Sequence, residues 1–291
     1  MDEIFYLRVQ TININIYVLT KACKTWTIET MEIILAIFLG LLGLVFGSFF
    51  NVCIDRLPER KSLISPASHC DACQHPLSLT DNIPIVSYLW LRGKCRYCGA
   101  RIGSRVLIVE IVTGALFTLV YLKYGLNTKF AVTTIYGCIL LVLAVIDQEK
   151  GLLLNVIVYP AMILTIIINI FLPDIVLSTY APHVGVLNGL VGGATGFVIL
   201  LIPALISRTG MGWGDVKLAG LLGLMTGFPD VCVALFGGIL IGGVWASSLL
   251  LLKKKGRKDA IPFGPFLAIG GFIALVWGSA IIHWYLSLFA F

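Results

Sequence analysis

GMGWGDVKLAGLLGLMTGFPDVCVALFGGILIGGVWASSLLLL, residues 210–252, opens with three glycines, a tryptophan and an aspartate and then turns apolar. From residue 216 onward the apolar run is too long for one crossing of a bilayer core of roughly 30 Å. The turn signal Gly227-Phe228-Pro229-Asp230 divides it into a short helix and a long one. The same reading extends through the chain. Further membrane-length runs lie at about 32–54, 106–122, 130–147, 152–172, 184–206 and 265–288. The fold expected is therefore an all-α polytopic membrane protein with about eight transmembrane helices.

Composition agrees. The chain has 291 residues, of which 58% are hydrophobic and 12% charged, with a mean hydropathy of +0.97. That is too apolar for a soluble globule. The net charge of +6 raises the question of nucleic acid, but the basic residues stand in short clusters beside apolar spans. Retention of Lys and Arg on the cytoplasmic side explains them, and no nucleic-acid partner is implied. Alternation of eight spans puts the 55–105 loop, the Lys253, Lys254, Lys255, Arg257 and Lys258 cluster, Lys150, Arg208 and Lys217 on one side. These hold sixteen of the 21 basic residues. That side is cytoplasmic, and both termini of the core lie outside. The 253–258 run also suits anionic membrane lipid, although its ordinary meaning is a positive-inside anchor.

Residues 1–31 fit this pattern poorly. They alternate polar and apolar residues, and lack both a signal-peptide apolar core and a cleavage site. Either Met31 starts the protein, the favoured reading, or the extension is a poorly ordered tail. Three units follow: an extension at 1–31; the first helix with a cytoplasmic loop, 32–105; and a seven-helix unit, 106–291.

The cytoplasmic loop between the first two spans carries Cys70-Asp71-Ala72-Cys73 and Cys95-Arg96-Tyr97-Cys98, with 21 residues between the pairs. Two such knuckles supply four thiolates to a tetrahedral Zn²⁺, so a zinc-ribbon-like loop is expected with Cys70, Cys73, Cys95 and Cys98 as ligands. Reducing cytoplasm disfavours disulfides there. His69 and His75 flank the first knuckle as alternative ligands. Cys23, Cys53, Cys138 and Cys232 have no such spacing, and those in apolar spans behave as small hydrophobes.

Charged groups at membrane depth usually mark function, and few occur: Asp55, Glu110, Asp147 and Asp215. Asp147 closes the third span in LLVLAVIDQEKG (140–151), and Asp215 opens the sixth after Gly212-Trp213-Gly214. Both fall at the cytoplasmic boundary. Two carboxyl groups brought together at partial burial cannot both ionise easily, so one keeps a proton and the pair works as acid and base. Such a dyad can hydrolyse a peptide with no Ser or Cys nucleophile. Gly212 and Gly214 would let a substrate strand approach and would adopt positive φ. Bland readings compete: Asp147 ending a helix beside Lys150, Asp215 as an N-cap, and Trp213 as a belt aromatic.

FGSFFNVCIDRLP (46–58), SHCDAC (68–73), DNIPIVSYLWLRGKCRYCGARI (81–102), GMGWGDVKL (210–218) and IPFGPFLAIGG (261–271) together resemble the bifunctional type IV prepilin leader peptidases and N-methyltransferases. The resemblance runs from about residue 32 to the end. It implies a GxGD aspartyl protease of the bacterial inner membrane that cuts the basic leader from prepilins and pseudopilins on the cytoplasmic side. It also implies methylation of the new N-terminal amine with S-adenosylmethionine. Carried over, the catalytic residues are Asp147 and Asp215, supported by Gly212, Gly214 and Lys217, and the paired cysteines are Cys70, Cys73, Cys95 and Cys98. One departure is the isoleucine-proline pair common shortly after the first aspartate. This chain reads Gly151-Leu152-Leu153-Leu154-Asn155 there.

Methyl transfer needs a neutral amine aligned with the sulfonium methyl. No GxGxxG signals a Rossmann-type site, so the knuckle loop and adjoining membrane face are the expected place. Asn51, Arg56, Asp81, Asn82 and Glu110 are the residues to examine. A peptidase without methyltransferase activity remains an alternative. So does a transporter or assembly scaffold, which should show internal repeats with broken helices; none is seen.

Overall fold

The computed structural model describes residues 30–65, 67–173, 185–206, 212–252 and 261–289. The 1–29 extension, Arg208, Gly210, Met211 and the 253–258 basic run lie outside the described residues. Among those described the molecule is helical, with no β-strand. Helices are numbered α1, Thr30–Arg56; α2, Val86–Trp90; α3, Ser104–Tyr124; α4, Thr128–Lys150; α5, Asn155–Phe171; α6, Gly185–Ile206; α7, Trp213–Thr226; α8, Asp230–Leu251; and α9, Gly264–Ser287. A 3₁₀ turn, Leu79–Asn82, precedes α2.

A helix is present at each of the eight expected positions. Six are long and apolar enough to cross a membrane: α1, α3, α4, α6, α8 and α9. α5 is apolar but has 17 residues, and α7 has 14, about 21 Å at the helical rise. α7 is also interior. Val216, Leu218 to Gly223, Met225 and Thr226 are all buried, among α5, α6, α8 and α9. The break falls where the sequence places it: Gly227 caps α7 with φ +72°, a conformation glycine adopts without penalty.

With no hydrophobic gain from burying one apolar helix against another in lipid, close packing needs small residues. Gly192, Gly193 and Gly196 of α6 lie against the backbone or side chains of α7, and Gly223 of α7 lies against the Gly192 carbonyl. α1 and α3 meet similarly, through Gly40, Gly43 and Gly47 against Glu110, Thr113, Gly114 and Thr118.

The main core joins α4, α5, α6, α7, α8 and α9 around Tyr136, Leu140, Leu143, Leu221, Leu222 and Leu267. At one end of the bundle Arg105 ties three helices together. It donates to both carboxylate oxygens of Asp55 at 2.7 and 2.9 Å and to Glu149 at 2.8 Å. Asp55, at the exposed end of α1, is thus the acceptor of a bidentate pair. This end also holds the last turn of α4 and the first turns of α5, α7 and α9.

Candidate active site

Asp147 sits in the last turn of α4, whose C-cap is Gly151 in the left-handed region at φ +63°. It is buried, at 6% exposure. Its side chain does not turn to Lys150. Oδ2 accepts the backbone N–H of Gly264 at 3.0 Å, the first residue of α9. That N–H is one of the donors a helix start leaves without an internal partner, and it points where an anion is favoured. A Cβ on Gly264 would stand 2.6 Å from that same oxygen.

Asp215 is the third residue of α7. The N-cap is Gly212, so Asp215 does not cap the helix as one sequence reading has it. Its own N–H donates to the Gly212 carbonyl at 3.0 Å, and its half-buried carboxylate is hydrogen-bonded by the Gly212 backbone. Gly214, its chain neighbour, packs on Leu153 in the connector that follows the last turn of α4. The two carboxylates named from the sequence are thus brought together at one end of the bundle, 68 positions apart in the chain.

The glycines act differently from the expectation of positive φ. Gly212 is extended, at φ −74°, and Gly214 lies in the first helical turn. The requirement at Gly214 is steric, because a Cβ there would stand 2.9 Å from Leu153 Cβ. Leu153 belongs to the connector that lacks the expected proline. α5 nonetheless starts cleanly at Asn155 after an extended Leu154. Lys217 reaches that start: Nζ donates to Asn155 Oδ1 at 3.0 Å and lies 5.4 Å from the Tyr159 ring centre. Trp213 is 60% exposed, as the belt reading requires.

In the loop, each knuckle is a tight turn closed by one antiparallel bridge, His69 to Pro76 and Lys94 to Arg101. The sulfurs of Cys70, Cys73, Cys95 and Cys98 all lie within 4.8 Å of one another, with Cys70 and Cys98 at 3.8 Å. Four thiolates at about 2.3 Å from a tetrahedral Zn²⁺ are about 3.8 Å apart, so the donor set fits the metal. Backbone hydrogen bonds from Cys98 and then Tyr97 pull the Cys95 thiol down to about 7. At Cys98 the Ala100 backbone hydrogen bond is outweighed by burial and the neighbouring sulfurs, which push that thiol up to about 11. The crowded sulfurs thus yield one thiolate readily and the others only against a metal's charge. His69 and His75 are turned to the carbonyls of Ala67 and Pro76, and His75 stacks on Tyr97. Neither belongs to the cluster.

The residues examined for methyl transfer are mostly engaged with the protein itself. Asn51 Nδ2 donates to the Gly47 and Val106 carbonyls. Arg56 donates to the Ser62 carbonyl. Asp81 accepts from Ser78 and Arg96, and Glu110, buried in α3, accepts the Ile85 N–H at 2.7 Å. Asn82 is exposed. Gly264 was not among the sequence candidates. The Gly264-Pro265 pair is a legible helix start, but its link to Asp147 is not.

Two family models match the chain. Residues 41–124 match the bacterial peptidase A24 N-terminal domain, and residues 134–247 match the type IV leader peptidase family. Among curated relatives, a prepilin leader peptidase/N-methyltransferase of Pseudomonas aeruginosa is 34% identical over 86% of this chain and 93% of its own. One so named from Aeromonas salmonicida is 33% identical over 85% and 92%, and one from Bacillus subtilis is 31% identical over 86% and 97%. No solved structure matches the chain.

Proposed function

The chain belongs to the type IV leader peptidase family, and on that premise we infer that it cleaves the N-terminal leader of type IV prepilins and pseudopilins and N-methylates the residue so exposed. The observation that supports the peptidase reading is that the turns carrying Asp147 and Asp215 share one end of the bundle, where the start of α9 holds Asp147 and Gly214 packs on the connector after α4. Asp147, whose Oδ2 already accepts the Gly264 N–H, takes the ionised role. It accepts a proton from water as the water oxygen attacks the scissile carbonyl carbon. Asp215 gives its proton to the carbonyl oxygen. Collapse of the tetrahedral adduct breaks the C–N bond, and the departing nitrogen takes a proton. Gly212, Gly214 and Lys217 support the loop and the first turn that present Asp215.

The substrate class suits this location. A prepilin joins a short basic leader to an apolar helix, which partitions into the bilayer and brings the scissile bond to the membrane boundary. We assign that boundary to the cytoplasmic face of the bacterial inner membrane, because the basic loops gather there. Residues 32–105 form the methyltransferase-associated unit and 106–291 the peptidase unit. Structural Zn²⁺ on the four cysteines would hold the two knuckles together. In the second reaction S-adenosylmethionine, when bound, would supply the methyl group to the neutral N-terminal amine.

The alternative of a peptidase alone is separated by one assay. Purified protein and a model prepilin are incubated with and without methyl-labelled S-adenosylmethionine. Cleavage in both, with label on the mature N-terminus in the first, supports the double activity. Cleavage without label supports the single one.

A further inference from the structure

We propose that residues 83–90 form a lipid-docking surface, in which the apolar face of α2 and the preceding Ile83 lie in the membrane interface and hold the zinc loop against the bilayer. Three observations carry this. The first is depth. Ile85 donates its N–H to Oε2 of Glu110 at 2.7 Å, and Glu110 lies six residues inside α3, about 9 Å along the axis from its start at Ser104. The loop therefore reaches the flank of a membrane-crossing helix through a buried side chain instead of standing clear of it.

The second is the exposed face. Ile83 is 45% exposed, Val86 57%, Leu89 62% and Trp90 83%. Val86, Leu89 and Trp90 follow the i, i+3, i+4 spacing that puts them on one side of a helix. The other side is occupied. Ser87 donates to the Ile83 carbonyl, and Tyr88 donates to the Ile102 carbonyl and packs over Gly93. A Trp this exposed suits the headgroup region, where an apolar ring and a polar N–H are both accommodated. Exposed Arg92, Lys94 and Arg101 follow in the same loop, as anionic headgroups would favour.

The third is backbone geometry. Ile85 has φ +60° and ψ −50°, a region that β-branched residues rarely enter. The buried Glu110 carboxylate holds it there, which fixes the direction in which α2 leaves the turn. The face is set by a specific contact to a membrane helix.

The occupant is lipid, and the proposal rests on the membrane fold alone, independent of which substrate is cleaved. The test places p-benzoylphenylalanine at Trp90, or at Tyr97 as the control, in the full chain in nanodiscs of phosphatidylethanolamine and phosphatidylglycerol. After irradiation, intact mass should show lipid adducts several-fold more abundant at 90 than at 97. Equal adducts at both positions, or a crosslink from 90 to a second copy of the chain or to an added prepilin, would overturn the proposal. A second readout uses the unlabelled protein. Brominated-chain lipid should quench a component of the tryptophan emission that Trp90→Phe removes, and quenching unchanged by that substitution would count against it.

Discussion

Asp147 Oδ2 accepts a hydrogen bond from the Gly264 backbone N–H at 3.0 Å across 117 positions of the chain, so the start of the last helix holds one member of the carboxylate pair. The contact tolerates no side chain, since a Cβ on residue 264 would press on that oxygen. Gly264→Ala should therefore lower kcat for leader cleavage about 10²-fold, the scale of a 1 Å misplacement in an active site, with little change in KM. Gly243→Ala, where nothing lies within 4 Å, should leave both constants near wild type. Steady-state cleavage of a model prepilin measures the two together.

The cysteine cluster predicts metal content. Wild-type protein purified without chelator should carry about one Zn²⁺ per chain, and Cys95→Ser should lose most of it. Elemental analysis against protein concentration decides. Wild-type protein that binds no zinc when supplied with it would remove the metal from the account.

The Ser78 hydroxyl, then its backbone N–H and the Arg96 guanidinium, hold the Asp81 carboxyl below the usual carboxylate range. A carboxyl depressed in the folded state contributes stability that is present above its unfolded value and lost as pH falls through the folded one. The protection factor of the Ser78 amide in hydrogen exchange should thus hold from neutral pH down to the carboxylate range and drop below it. Asp81→Asn should lower protection at neutral pH and flatten that dependence.

Helix packing gives a contrast between two glycines. A methyl at 223 would overlap the Gly192 carbonyl, whereas one at 237 would meet Gly270 Cα at an ordinary 3.6 Å. Gly223→Ala should cost about 1–3 kcal/mol, the usual range for overpacking, and lower Tm in detergent. Gly237→Ala should stay near wild type.

The helices were legible because membrane spans are written in composition, and the α7 to α8 break because glycine and proline stop helices by their own geometry. The knuckles were legible because metal ligands must be cysteines at short spacing. Other features leave no mark in the residue types. Asp147 is held by a backbone N–H, which every residue but proline carries. Lys217 meets Asn155 only because α5 and α7 start side by side. That α7 is interior follows from its neighbours, since its residues are no more apolar than those of the lipid-facing helices. Positive φ at Gly212 was expected from the residue type, and the structure needs instead an extended N-cap there and bare space beside Leu153 at Gly214.

Whether Asp147 and Asp215 act as one catalytic pair is decided by intact mass of a model prepilin incubated with S-adenosylmethionine and wild-type, Asp147→Asn or Asp215→Asn protein. Wild type should remove the leader and add one methyl. Each variant should leave the substrate uncut, with cleavage reduced by at least about 10³-fold in protein that retains wild-type Tm and zinc. Efficient leader removal by either variant would contradict the account.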